Sequence, residues 1–99
     1  MSIVKKEING MMMHLNLSDG GISLPLHNDG IREAAFMAIM NETVTEGMTC
    51  IDLGANIGYA TLLMLNNVGK EGTVYAIEPD PNNLGLLKDN INENNFQDT

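Results

Sequence analysis

Two acidic residues and a turn bracketed by glycines carry the chemistry in this sequence. Asp52 lies at the end of a short apolar run, Met48-Thr49-Cys50-Ile51-Asp52-Leu53, and Gly54-Ala55-Asn56-Ile57-Gly58 follows at once. Glu78 stands twenty residues beyond Gly58, after a second apolar run, Thr73-Val74-Tyr75-Ala76-Ile77. A glycine directly after a strand lets the chain turn tightly and lets a ligand approach the backbone. A second glycine lets the next helix begin close to the strand, and the free amides at that helix start can hold polar ligand groups. An acid at the end of the following strand is placed to accept hydrogen bonds from the two hydroxyls of an adenosine ribose. The expected ligand is an adenosine derivative.

The rest of that ligand follows from charge. Dinucleotide sites use G-x-G-x-x-G because a pyrophosphate must touch the backbone. Here the spacing is G-x-x-x-G with Asn56 at its centre, and Asp52 stands two residues before the first glycine. A carboxylate there repels a pyrophosphate and suits an ammonium or a sulfonium. S-adenosylmethionine carries both, and a ribose for Glu78, so it is expected ahead of NAD. Asp80 has a second reading as the N-cap of a helix that opens with Pro81. His14 and His27 have no partner motif; His27 is the better candidate for a general base, because it lies near a segment that borders the expected site. Cys50 reads as a buried inert thiol and the methionines as core filling. No His, Cys, Asp and Glu cluster has metal-ligand spacing, and no Ser or Thr has a nucleophile-elbow context.

The elements that must position these residues come from periodicity and breakers. Alternation at Met11–Leu17 and again at Ile22–Leu26, around Ser18-Asp19-Gly20-Gly21, predicts a β-hairpin over residues 11–26, with Pro25 at an edge or end. Ala35, Phe36, Ile39, Met40 and Val44 give a helical stripe over 31–44, with Asp29 as its cap and Gly47 past its end. Strands are expected at 48–53 and 73–77, the second of them buried, with helices at 59–68 and from Pro81 to near Asn94-Asn95. Leu84, Leu87 and Ile91 form the inward stripe of the last helix, and Gly85 inside it costs about 1 kcal/mol relative to Ala. Strand, helix, strand, helix with apolar strands means a βαβα unit of a parallel sheet, which binds ligands at its strands' carboxyl ends. The chain divides into an N-terminal hairpin and helix, residues 1–47, and the βαβα unit, residues 48–99.

Composition narrows the function classes. Five Lys and Arg against thirteen Asp and Glu give a net charge of −8, which argues against a duplex nucleic-acid partner. One Cys excludes an internal disulfide and favours a reducing, cytoplasmic setting. No apolar run reaches the roughly 20 residues of a membrane span, and the N-terminus lacks a signal-peptide pattern. With 43% hydrophobic residues the chain is expected to fold, and the open edges of a two-stranded unit offer a route to self-association.

Ile51–Leu62 resembles motif I of class I methyltransferases, and Val74–Asn83 resembles their acidic ribose motif. Asp29-Gly30-Ile31-Arg32-Glu33 and Leu86–Asn95 are similar to the FkbM-type family in particular. The resemblance runs from about Gly21 onward and implies the N-terminal part of a Rossmann-like S-adenosylmethionine-dependent methyltransferase. It implies a small-molecule acceptor, a hydroxyl of a sugar or other metabolite. Asp52 would contact the methionine part, Gly54, Ala55, Asn56 and Gly58 would surround it, and Tyr59 would border it or simply pack. Glu78 would hold the ribose, with Pro79 and Asp80 near the adenine. Arg32 and Glu33 match the upstream segment without an assigned role. The resemblance also implies that acceptor-binding and general-base residues come from later strands, and that residue 99 falls about where a third parallel strand begins. Two other readings stand beside it: a catalytically incomplete chain that binds an adenosine ligand, and part of a nicotinamide-dependent oxidoreductase.

Overall fold

The computed structural model describes residues 2–96. The elements are β1 (Ile3–Ile8), β2 (Met11–Asn16), α1 (Ser23–Asp29), α2 (Ala34–Thr43), β3 (Thr49–Leu53), α3 (Tyr59–Val68), β4 (Thr73–Ile77) and α4 (Pro81–Glu93). The α/β class with an N-terminal hairpin, a helix and a βαβα unit stands as the sequence predicts.

The hairpin uses different residues from those expected. Strand β2 pairs antiparallel with β1, Ile8 opposite Met11 and Ile3 opposite Asn16. Asn9 and Gly10 both adopt positive φ, 52° and 78°, the geometry a two-residue hairpin turn requires. Residues 22–26, read as a strand, lie instead in and just before α1. The reason is local: the Asp19 carboxylate accepts the N–H groups of Gly21, Ile22 and Ser23 and so caps the helix start. The Ser23 hydroxyl accepts the Asn16 N–H, which ties α1 to β2. Leu26 is fully buried while Leu24 is exposed, the face selection of a helix. Pro25 sits in the first turn, where its missing N–H loses no intrahelical bond.

Helix α2 is shorter than the stripe over 31–44 predicts. Asp29 ends α1 and does not cap α2; the N-cap is Glu33, in left-handed geometry with no side-chain capping bond. Gly47 lies in the turn leading to β3, where its N–H donates to the Val68 carbonyl at 2.9 Å. Strands β3 and β4 are parallel, Thr49 opposite Thr73 and Leu53 opposite Ile77, with α3 as the crossover. Asp80 caps α4 by accepting the Asn83 N–H at 2.9 Å, and Pro81 opens the helix, as predicted.

The core lies between the inner face of the hairpin (Met13, Leu15), Leu26 of α1, and the helices α3 and α4 (Leu62, Leu65, Leu86). Strands β3 and β4 contribute only one face to it. Cys50 and Val74 are partly buried there, whereas Ile51, Leu53, Tyr75 and Ile77 are 66%, 74%, 58% and 52% exposed. The expectation of a buried β4 and a buried Cys50 is corrected accordingly: α3 packs on one face of this sheet, and among the described residues no layer packs on the other.

Candidate functional site

The loop at 54–58 is held from three directions. The carbonyl of Ile77, at the end of β4, accepts the N–H groups of Gly54 and Ala55 at 2.9 and 3.0 Å. The Asn56 N–H donates to Glu78 Oε1 at 2.7 Å, and the Asp80 N–H donates to the other carboxylate oxygen at 3.0 Å. The Gly58 N–H donates to the Ala55 carbonyl at 3.0 Å, which closes the turn onto α3. Gly58 has φ +105°, so conformation demands glycine there, and a Cβ would in addition come within 2.9 Å of Leu87 Cδ1 and push that methyl aside. Gly54 has φ +77° with open space beside it, so its glycine answers to conformation alone.

Asp52 projects from the half-buried face of β3. One of its oxygens accepts the Thr61 hydroxyl at 2.6 Å across the first turn of α3. The loop, Asp52, Leu53, Tyr59 and Ala60 form one wall of a cleft; Ile22, Glu33 and Phe36 form the other. The cleft encloses about 230 Å³, below the ~300–1,000 Å³ of drug-sized ligand pockets, so it suits one limb of an adenosine derivative. Its lining holds two carboxylates and no basic side chain. Asn56, at φ +55°, keeps a buried Oδ1 with no hydrogen-bond partner. A free carboxylate oxygen and an orphaned carbonyl oxygen are both acceptors. These acceptors therefore fit a cationic or N–H-bearing group and oppose a phosphate.

The structure thus brings together Asp52, Gly54, Ala55, Asn56, Gly58 and Tyr59, with Glu78, Pro79 and Asp80 on the β4 side of the same loop. Glu78 uses each oxygen once for backbone N–H groups, and a carboxylate has about four lone-pair sites, so acceptor capacity remains. Tyr59 is buried and its hydroxyl accepts the Arg32 N–H at 3.2 Å. Glu33 joins the cleft, and the Arg32 guanidinium lies 3.0 Å from its carboxylate, which gives the upstream segment a place at the site. Neither histidine lines this cleft. His14 faces Glu93 on the hairpin side, and His27 lies on α1, where its carbonyl accepts the Lys6 ammonium. Among the described residues no group of His, Cys, Asp and Glu is arranged to hold a metal ion, and no helix is long and apolar enough to cross a membrane.

One residue escaped the sequence reading. Asn90, on α4, is fully buried, and its side-chain amide donates to the Ile57 carbonyl at 2.7 Å and to the His14 carbonyl at 3.3 Å. A polar residue continuing the stripe of Leu86 and Leu87, at the position where a core residue is due, was the available signal.

A parallel β-α-β unit with a glycine turn and acids at both strand ends is a Rossmann-like arrangement. Residues 52–98 match the methyltransferase FkbM domain. The chain is 35% identical over 71 residues to a protein-L-isoaspartate O-methyltransferase of Methanococcoides burtonii, a match covering 69% of this chain and 35% of the relative. The chain thus spans about a third of the curated relative's length. Its fold is similar to that of Methanocaldococcus jannaschii Trm5 in complex with adenosine, with TM-score 0.72 at 20% identity over 98% of this chain and 27% of that one.

Proposed function

We propose that the chain is the cofactor-binding part of an S-adenosylmethionine-dependent methyltransferase acting on a hydroxyl of a sugar or other small metabolite. The observation that carries the cofactor reading is the cleft beside the glycine turn: Asp52 and the orphaned Asn56 Oδ1 offer acceptors, and the guanidinium beside it, that of Arg32, is paired with Glu33. The adenosine named with the structurally similar Trm5 supports the nucleoside half of the same reading. The acceptor class rests on the family resemblance.

The residues divide the work. Asp52 and Asn56 would hold the ammonium of the methionine limb, Glu78 would accept from the ribose hydroxyls, and the 54–58 backbone would fix the distance between them. When bound, S-adenosylmethionine supplies an electrophilic methyl group whose bond to sulfur breaks as a bond to the acceptor oxygen forms. Ile22 and Phe36 on one wall and Tyr59 on the other would shield the limb from water, which strengthens the charge interactions at Asp52.

Calorimetric titration of the chain with S-adenosylhomocysteine and with NAD tests this reading. Saturable binding of the first and none of the second is expected. Preference for NAD would reject it in favour of the oxidoreductase reading.

A further inference from the structure

We propose that Asn90 is the positioning residue of the 54–58 loop, locking the Ile57–Gly58 peptide in place so that the loop meets its ligand preformed. The proposal rests on the cofactor reading above for its functional consequence, but not for its geometry. Asn90 is fully buried in the middle of α4, on a stripe otherwise occupied by Leu86, Leu87 and Ile91. A leucine there would satisfy packing alone. An amide at such a position is costly unless its polar atoms are paired.

They are paired, and with two other parts of the chain. The Asn90 Nδ2 donates to the carbonyls of Ile57 and His14, while Oδ1 accepts the His14 N–H. Two carbonyls on one side of the amide and an N–H on the other also fix which end is nitrogen. The Ile57 carbonyl belongs to the peptide whose N–H is that of Gly58, and this N–H closes the turn onto Ala55. One peptide is thus gripped at both ends. That grip falls between Asn56 at φ +55°, a conformation uncommon for residues with a side chain, and Gly58 at φ +105°.

Asn94, four residues on at the C-cap of α4, supplies an internal control. Its amide makes the same pair of bonds to the hairpin strand: Nδ2 donates to the Met12 carbonyl at 2.8 Å and Oδ1 accepts the Met12 N–H at 3.1 Å. It has no bond to the loop. Both asparagines clamp the strand, but only Asn90 holds the cofactor turn.

The experiment compares the wild-type chain with Asn90→Leu and Asn94→Leu by amide hydrogen exchange without ligand and by titration with S-adenosylhomocysteine. Asn90→Leu is expected to speed exchange at Gly58 and Tyr59 and to weaken binding about tenfold relative to Asn94→Leu. Asn94→Leu is expected to speed exchange in β2 alone and to hold affinity within about twofold of wild type. Equal effects of the two variants on the loop would overturn the proposal and leave Asn90 a strand clamp. Should Asn90→Leu not fold, side-chain amide NMR signals of the wild type decide: a shift of the Asn90 signal on ligand addition with Asn94 unmoved is expected, and the reverse overturns it. Should the wild type bind no S-adenosylhomocysteine, the cofactor reading fails by itself, and the exchange arm still decides the positioning role.

Discussion

Two turns in this chain share a composition and differ in what they leave open. Ser18–Ile22 and Asp52–Gly58 each set an aspartate and glycines ahead of a helix. In the first, the Asp19 carboxylate is filled by the N–H groups of Gly21, Ile22 and Ser23, and α1 starts there as a result. In the second, Asp52 accepts a single hydroxyl, Asn56 Oδ1 accepts nothing, and the turn is held by outside partners, Glu78, Ile77 and Asn90. A turn that caps itself spends its acceptors on its own backbone. A turn braced from outside keeps them for a ligand. The saturation of the acid, more than its place in sequence, separates the self-capped turn from the one that keeps acceptors open.

The sharpest way to break the second turn is Gly58→Ala. The added Cβ would meet Leu87 Cδ1 at 2.9 Å in a backbone conformation that alanine resists. A loss of about 3 kcal/mol in unfolding free energy is expected from urea titration, combining the strain and the overlap. Asp52→Asn comes next and tests function in place of stability. The asparagine oxygen can still accept the Thr61 hydroxyl, so the melting temperature should hold within about 2 °C, while affinity for S-adenosylhomocysteine falls by about 2 kcal/mol with the lost charge. A variant that lost stability but not affinity would move Asp52 into the class of Asp19.

The same distinction explains what the sequence made legible. The βαβα unit could be read because its signals are local and agree: β-branched residues at 73–77, a cap and proline at Asp80-Pro81, glycines where φ is positive. The placement of Asp52, the glycine turn and Glu78 could be read for the same reason, since all three are tied to strand ends. The hairpin could not. Ile22, Leu24 and Leu26 satisfy alternation over five residues, too short a span to exclude a helix, and the capping role of Asp19 emerges only in three dimensions. The true partner strand was hidden because Lys5, Lys6 and Glu7 interrupt its apolar pattern, although Asn9-Gly10 marked its turn. Asn90 was hidden because a polar residue on a helix reads as solvent-facing until its partners, far away in sequence, are known.

Asp19→Ala should cost about 1 kcal/mol, the usual value of a lost cap, and leave S-adenosylhomocysteine affinity unchanged. This is the opposite split from Asp52→Asn. The smallest effect expected is its dependence on pH. Partial burial works to raise the Asp19 carboxyl, but three backbone N–H groups and the nearby Arg32 outweigh it and hold the group below its usual 3.8. A carboxyl lowered in the folded state stabilises the fold above its unfolded value and loses that contribution as pH falls through its folded one. The charged part of the Asp19 contribution should therefore be present at pH 5–7 and fade below about pH 4. Because the group is only partly buried and remains open to solvent screening, its size should stay under about 1 kcal/mol. Glu93 is also lowered, first by its hydrogen bond from Lys5 and then by the charge of that ammonium, and it titrates in the same direction. Comparing wild type with Asp19→Asn cancels the Glu93 contribution, which both chains share. The stability gap between them should narrow on acidification from pH 6 to pH 3. A gap constant over that range would mean that the Asp19 turn is held by its geometry alone, with no contribution from charge.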